Sequence, residues 1–316
     1  MPDSDSEVIE FSSATAELRA APANPVRSRL LIAGAAAAVI VIAAVIVLVG
    51  VKPGGTTPGG AAAGQVNPAL ARLIAQVTGV PVSSSDVAGG GGDQVTGAPT
   101  QASKAGPPLV ADGKPEVLFV GVEYCPYCAT ESWSLIVALS RFGTFTGLST
   151  IRSARYELYP PLDTWTFYGS AFTSKYLAFV PVETRSSVLI SKKDNPQSMS
   201  SYTRLQKLTA AQQAILTKYE GTDTVPFLDF GNKYFQAGSG FSPGVLEHQT
   251  WSQIAAALRN PHSPTAQAIL GSANYITATI CALTGDQPAT ACTPAVRSLL
   301  GHGPATGVVN LLPGGV

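Results

Sequence analysis

Charge is scarce in this chain of 316 residues: Asp, Glu, Lys and Arg make up 13%, and 20 acidic side chains cancel 20 basic ones. A neutral chain leaves no electrostatic footprint for a polyanion, so no nucleic-acid partner is expected. Histidine is equally sparse, with three copies. His248, His262 and His302 stand apart, two of them beside Pro or Gly, which suits loops better than ligation. No Ser-His-Asp pattern, phosphate loop or HExxH occurs. There are four cysteines, Cys125, Cys128, Cys281 and Cys292, and they lack the compact knuckle spacing of a zinc site. No metal and no dissociable cofactor is expected.

What the chain does contain is apolar residues diluted by 31 Gly and 24 Pro, the composition of one main domain with non-globular flanks. Leu30 to Val51 carries no charge and exceeds the roughly 20 residues that cross a bilayer. The run starts too late and is too long for a cleavable signal peptide. Arg19, Arg27 and Arg29 precede it and only Lys52 follows closely, so the positive-inside rule puts the N-terminus in the cytoplasm. Residues 1–29 then form a disordered cytoplasmic tail, 30–51 a membrane-spanning helix, and everything beyond is extracytoplasmic, where disulfides persist. Residues 52–108 are expected as a Gly/Pro/Ala-rich tether holding one short helix at 68–78, with 86–108 as linker.

Cys125-Pro126-Tyr127-Cys128 joins the end of an apolar run, Val117 to Val120, to a helical pattern carried by Trp133, Leu135, Ile136, Leu139 and Phe142. A cysteine at a helix N-terminus faces unpaired amides and the positive end of the helix dipole, and both favour the thiolate. Cys125 is therefore the candidate attacking sulfur, and Cys128, one turn on, the resolving thiol. Pro126 suits the first helical position because its missing N–H costs nothing there. Glu123 and Glu131 are the nearby carboxylates that could move protons. A metal half-site, a static disulfide or an inert motif are the plainer readings of the same four residues. Cys281 and Cys292 close a short Gly/Pro/Thr/Ala-rich loop and are read as a structural disulfide, with a second shuttle pair as the sharper alternative.

Beyond the motif the expected order is a strand near 148–152, an insertion from 153 to 208, and a helix opened by the capping box Thr209/Gln212. Two strands follow, 225–230 and 233–236, joined at Gly231-Asn232, then helices at 250–259 and 264–283. With CPYC after the first core strand and Thr224-Val225-Pro226 opening a later one, residues 109–260 resemble the thioredoxin superfamily. More narrowly, Tyr124 to Gly143 and Val225 to Phe230, with the anchor, look like the domain-of-unknown-function family 929. The superfamily resemblance implies a mixed α/β sheet flanked by helices. The insertion would lie between the second core strand and second core helix, and residues 261–316 would be a helical extension. It also implies a cis Pro226 facing the dithiol, with Val225 offering backbone hydrogen bonds to an extended substrate. One departure stands out: thioredoxins carry a buried carboxylate six residues before the first cysteine, and here that residue is Phe119.

These readings lead to the expectation of a membrane-anchored, extracytoplasmic thiol–disulfide oxidoreductase. Its partners would be exported proteins bearing cysteines, an unidentified membrane redox partner and the lipid bilayer around 30–51. The alternative is a non-catalytic thioredoxin-like module binding an envelope protein. Most of the aromatics among Tyr156, Tyr159, Trp165, Phe167, Tyr168, Phe172, Tyr176 and Phe179 are expected in the core.

Overall fold

The computed structural model describes residues 67–304, apart from Tyr156, Lys192, residues 221–223 and the side chain of Glu220. The expected tail, membrane span and first part of the tether, and the place of Tyr156, lie outside the described residues.

Two helices open the chain, α1 (Pro68–Thr78) and α2 (Val82–Ala88), followed by the short strands β1 (Thr100–Gln101) and β2 (Val110–Ala111). The longest strand, β3 (Lys114–Gly121), runs into α3 (Pro126–Leu139). Four strands come next: β4 (Gly143–Thr146), β5 (Ser149–Arg152), β6 (Asp163–Thr166) and β7 (Ala171–Ser174). Then follow β8 (Ala178–Glu183), β9 (Arg185–Leu189), β10 (Tyr202–Arg204) and α4 (Ala210–Glu220). The remaining elements are β11 (Phe227–Phe230), β12 (Tyr234–Ala237), α5 (Trp251–Ala257), α6 (Pro264–Thr284) and α7 (Pro294–Arg297).

The central sheet is mixed: β3 pairs in parallel with β8 and antiparallel with β11, which continues antiparallel to β12 and β1. Alternation along β3 divides the interior. Val117 and Phe119 enter the large core with α3, α5 and α6, whereas Leu118 and Val120 meet Leu216 of α4 on the opposite face. A continuously apolar strand is what a sheet covered on both faces demands. Gly231 and Asn232, with φ of 62° and 60°, make the tight turn between β11 and β12 that left-handed residues allow.

Three expectations need correcting. The strand expected near 148–152 exists as β5, but among the described strands it pairs with β6 alone, outside the central sheet. The strand beside β3 is β8, and its Pro181 is tolerated because, among the described strands, β8 pairs with β3 alone. The residues expected as a single insertion, 153–208, therefore divide around β8, with 153–177 before it and 184–208 after it.

The linker expected over 86–108 is instead structured. Asn274 of α6 donates to the carbonyls of Ser85 and Gly89, and Gly91, at φ 77°, lies so close to Gly271 that a Cβ on either would meet the other's backbone. Arg141 lies half-buried in the same seam, donating to Ser85, Asn274 and Thr277, and desolvation pushes its guanidinium pKa down to about 10. Glycine here supplies positive φ and close approach rather than slack.

Nor is α6 an extension. It is the one described helix long and apolar enough to cross a membrane, yet 83% of its most apolar stretch is buried within the protein, against α3 among others. Its end is tied by a disulfide between Cys281 and Cys292, which stand 11 positions apart in sequence with Cα atoms 5.7 Å apart. Replacing both with Ala should cost about 2 to 3 kcal/mol through loop closure, lowering the melting temperature by roughly 5 to 10 °C. A calorimetric scan of the full chain that shows no shift would leave the bond without a structural role.

Candidate active site

The apolar strand β3 stops at Gly121, and residues 122–125 turn the chain into α3 with Cys125 as its N-cap and Pro126 at N1. Both sulfurs are largely covered: Cys125 is 9% and Cys128 4% exposed. They are free thiols and pack with Val122, Tyr124, Tyr127 and Val225 in a small cluster of their own.

The Cys128 thiol donates a hydrogen bond to Cys125 Sγ, and the amides of Cys128 and Tyr127 donate to it as well. Together they lower the Cys125 pKa against the opposing effects of burial and the field of Glu157. Cys128 moves the other way. Burial, the proton shared with Cys125 and the field of Glu183 hold it well above an ordinary thiol, although the Val122 amide partly offsets them. One sulfur is thus poised as thiolate at the helix terminus while its neighbour keeps the proton.

The Val225–Pro226 peptide bond is cis, and Val225 contacts the dithiol cluster. The Pro226 carbonyl accepts from Gly238 N–H at 2.8 Å, so the entry to β11 is fixed against β12.

The carboxylates expected to serve the thiols are placed differently. Glu131 points into the core, where Gly240 N–H donates to Oε2 at 2.9 Å and the Gln236 amide faces it; burial pushes it up to about 7. Glu123 accepts from Ser187 N–H at 3.3 Å. The carboxylate whose field reaches Cys128 is Glu183, at the end of β8 and in register with Gly121. It is 3% exposed, accepts from Thr166 Oγ1 at 2.6 Å and Tyr168 N–H at 2.7 Å, and burial raises it to about 7. Glu183 was missed because β8 itself was not read as a core strand. The available signal was a single acidic residue closing the apolar run Phe179 to Val182.

Tyrosines frame the site. Tyr124 stacks on Tyr202 of β10 with centroids 4.2 Å apart, and Tyr127 meets Tyr159 edge-on at 5.9 Å. Burial and the Tyr159 hydroxyl push Tyr127 up to about 12. Of the other aromatics, Trp165, Phe167, Phe172, Tyr176 and Phe179 join the main core, while Tyr168 is exposed. Among the described residues, no three His, Cys, Asp or Glu side chains converge as a metal ion requires.

Fold and site together define a mixed α/β protein with a buried CxxC dithiol, its two thiols of unequal acidity, at the start of a central helix. The chain belongs to the family described as "Domain of unknown function (DUF929)", whose family model matches residues 102–282. No curated protein and no solved structure matches it.

Proposed function

We propose that this protein is a membrane-anchored, extracytoplasmic thiol–disulfide oxidoreductase acting on exported proteins through Cys125 and Cys128. The observation that carries the proposal is Cys125 Sγ held by two helix-terminal amides and by the Cys128 thiol. Within the six-stranded sheet, the run β8-β3-β11-β12, with one parallel and two antiparallel pairings and the cis proline entering β11, supports a thioredoxin-like fold as its frame. The charge-free run from Leu30 to Val51 supports the anchor.

In this reading the Cys125 thiolate attacks one sulfur of a client disulfide. A Cys125–client bond forms as the client S–S bond breaks, and the second client sulfur leaves as thiolate. Cys128 then gives its proton to Glu183 and attacks Cys125 Sγ, closing the Cys125–Cys128 disulfide and releasing the first client sulfur. The client gains two electrons and the dithiol loses two; the thiolates released take protons from Glu183 and solvent. Run in reverse, the protein's disulfide oxidises a client dithiol, and a membrane redox partner resets either form. Val225 and Pro226 flank the client segment.

The coverage of both sulfurs supports a second reading, in which the same surface binds an envelope partner without exchange. Equilibrating the full chain with graded dithiol/disulfide buffers and alkylating Cys125 and Cys128 separates the two. A reversible two-electron couple that turns over a disulfide peptide is expected; a pair that exchanges no faster than a free thiol leaves only the binding module.

Glu183 adds a finer expectation. Glu183→Gln removes the proton acceptor and should slow resolution of the mixed disulfide at pH 8 by about a hundredfold. At pH 5.5 the native Glu183 is itself protonated, so the two proteins converge. A purely structural Glu183 would slow exchange equally at both pH values.

A further inference from the structure

Beside the dithiol lies a groove of about 230 Å3, floored by Val122, Val225 and Leu216 and rimmed by Arg185, Arg204 and Lys207. Arg185 and Arg204 face each other across the β9–β10 pair, with Arg185 Nη1 donating to the Tyr202 carbonyl at 3.4 Å. Like charges directly opposite in a sheet destabilise it. Among the described residues the ion pairs are Arg152–Asp163 and Arg297–Asp286, so none of these three cations has a carboxylate partner. Glu123, on the dithiol side, is engaged with the Ser187 amide instead. The same hairpin exposes Val188 and Ile190, at 63% and 65%. The groove thus offers unmet positive charge at its rim, an apolar floor, and direct continuity with the thiols through Val225.

We infer that this groove, built by the inserted hairpin 184–208, binds an acidic stretch of client polypeptide flanking the exchanging cysteine. An extended segment crossing Val225 places its cysteine at Cys125 and its neighbouring side chains between Arg185 and Arg204. Apolar side chains on the alternate positions meet the floor. Three clustered cations suit two or three carboxylates and are far too few for a polyanion. The inference rests on the exchange reading only for where the cysteine sits, and the binding can be measured without exchange.

The test uses the full chain in detergent carrying Cys125→Ser and Cys128→Ser, with two fluorescent Ser-for-Cys peptides. They are identical except that one has Glu and the other Lys beside the central Ser. Anisotropy at low salt should show the Glu peptide bound about tenfold more tightly, with the preference largely gone at 0.5 M salt. Adding Arg204→Glu and Lys207→Glu should reverse the preference. Both residues are exposed, and relieving the arginine pair should leave the melting temperature unchanged or raised, so a loss of folding is distinguishable. Equal affinity for the two peptides, or a preference unmoved by the charge reversal, overturns the inference. Failure of exchange in the native dithiol, with the Glu preference intact, overturns only the redox reading.

Discussion

Cys125→Ser is expected to reduce disulfide exchange to background, while Cys128→Ser should accumulate covalent complexes with client proteins through Cys125. The asymmetry follows from the two thiols. Cys125 has the lowered pKa and sits at the helix terminus, so in the proposed exchange it is the attacking sulfur. Cys128, held well above an ordinary thiol, keeps its proton and donates it to Cys125 Sγ, and in the proposed exchange it then resolves the mixed disulfide. Non-reducing gels of membranes from cells expressing Cys128→Ser should show ladders that collapse on reduction and vanish when Cys125 is also replaced. The largest stabilising contribution to the Cys125 thiolate is the hydrogen bond from Cys128, so replacements at 128 should differ. A serine hydroxyl can still donate and alanine cannot. The pH midpoint for alkylation of Cys125 should therefore rise more in Cys128→Ala than in Cys128→Ser. Ladders formed through Cys281 or Cys292, or none at all, would leave the dithiol without exchange chemistry.

How much of this was legible in the residues depends on whether the signal was local. The Gly231-Asn232 turn, the Thr250/Gln253 capping box and the strand–CPYC–helix junction are each written in a few adjacent residues, and each forms as those residues dictate. The Thr209/Gln212 box forms too, with reciprocal bonds of 2.9 and 3.2 Å. What could not be read required knowing a partner far along the chain. The glycines of 89–92 read as linker until Gly271 and Asn274 supply the surface they close on. β5 and β8 are both short β-prone runs, and only pairing with β3 distinguishes them. With β8 unplaced, Glu183 could not be brought to Cys128, and the departure at Phe119 looked like a missing carboxylate. Phe119 and Val182 are core residues of adjacent strands, and the buried acid stands at the far end of the second one.

Stability should fall as pH rises from about 5 to 8, the reverse of ordinary acid unfolding. Three buried carboxyls share the cause. Burial raises Glu131 and Glu183 from 4.5 to about 7 and Asp229 from 3.8 to about 6, the last partly offset by the Asn232 amide and Lys218. A group whose pKa is raised on folding binds its proton more tightly in the native state. Its contribution is complete below the unfolded value, near pH 4, and is lost as pH climbs through the folded value, near 7. A tenfold gain in proton affinity is worth about 1.4 kcal/mol, and with allowance for relaxation around the ionised groups the three together amount to about 3 to 6 kcal/mol. Urea unfolding at pH 5 and pH 8 measures the difference directly. Glu131→Gln isolates one contribution, because the amide oxygen can keep the Gly240 bond while no charge has to be buried. That variant should match the native protein at pH 5 and exceed it by about 1 to 3 kcal/mol at pH 8. A native protein at least as stable at pH 8 as at pH 5 would remove the argument for all three. In the proposed mechanism the proton that stabilises the fold through Glu183 is also the one that prevents it from receiving another from Cys128. Exchange rate and stability should therefore run in opposite directions between pH 6 and 8, and Glu183→Gln should weaken both trends together.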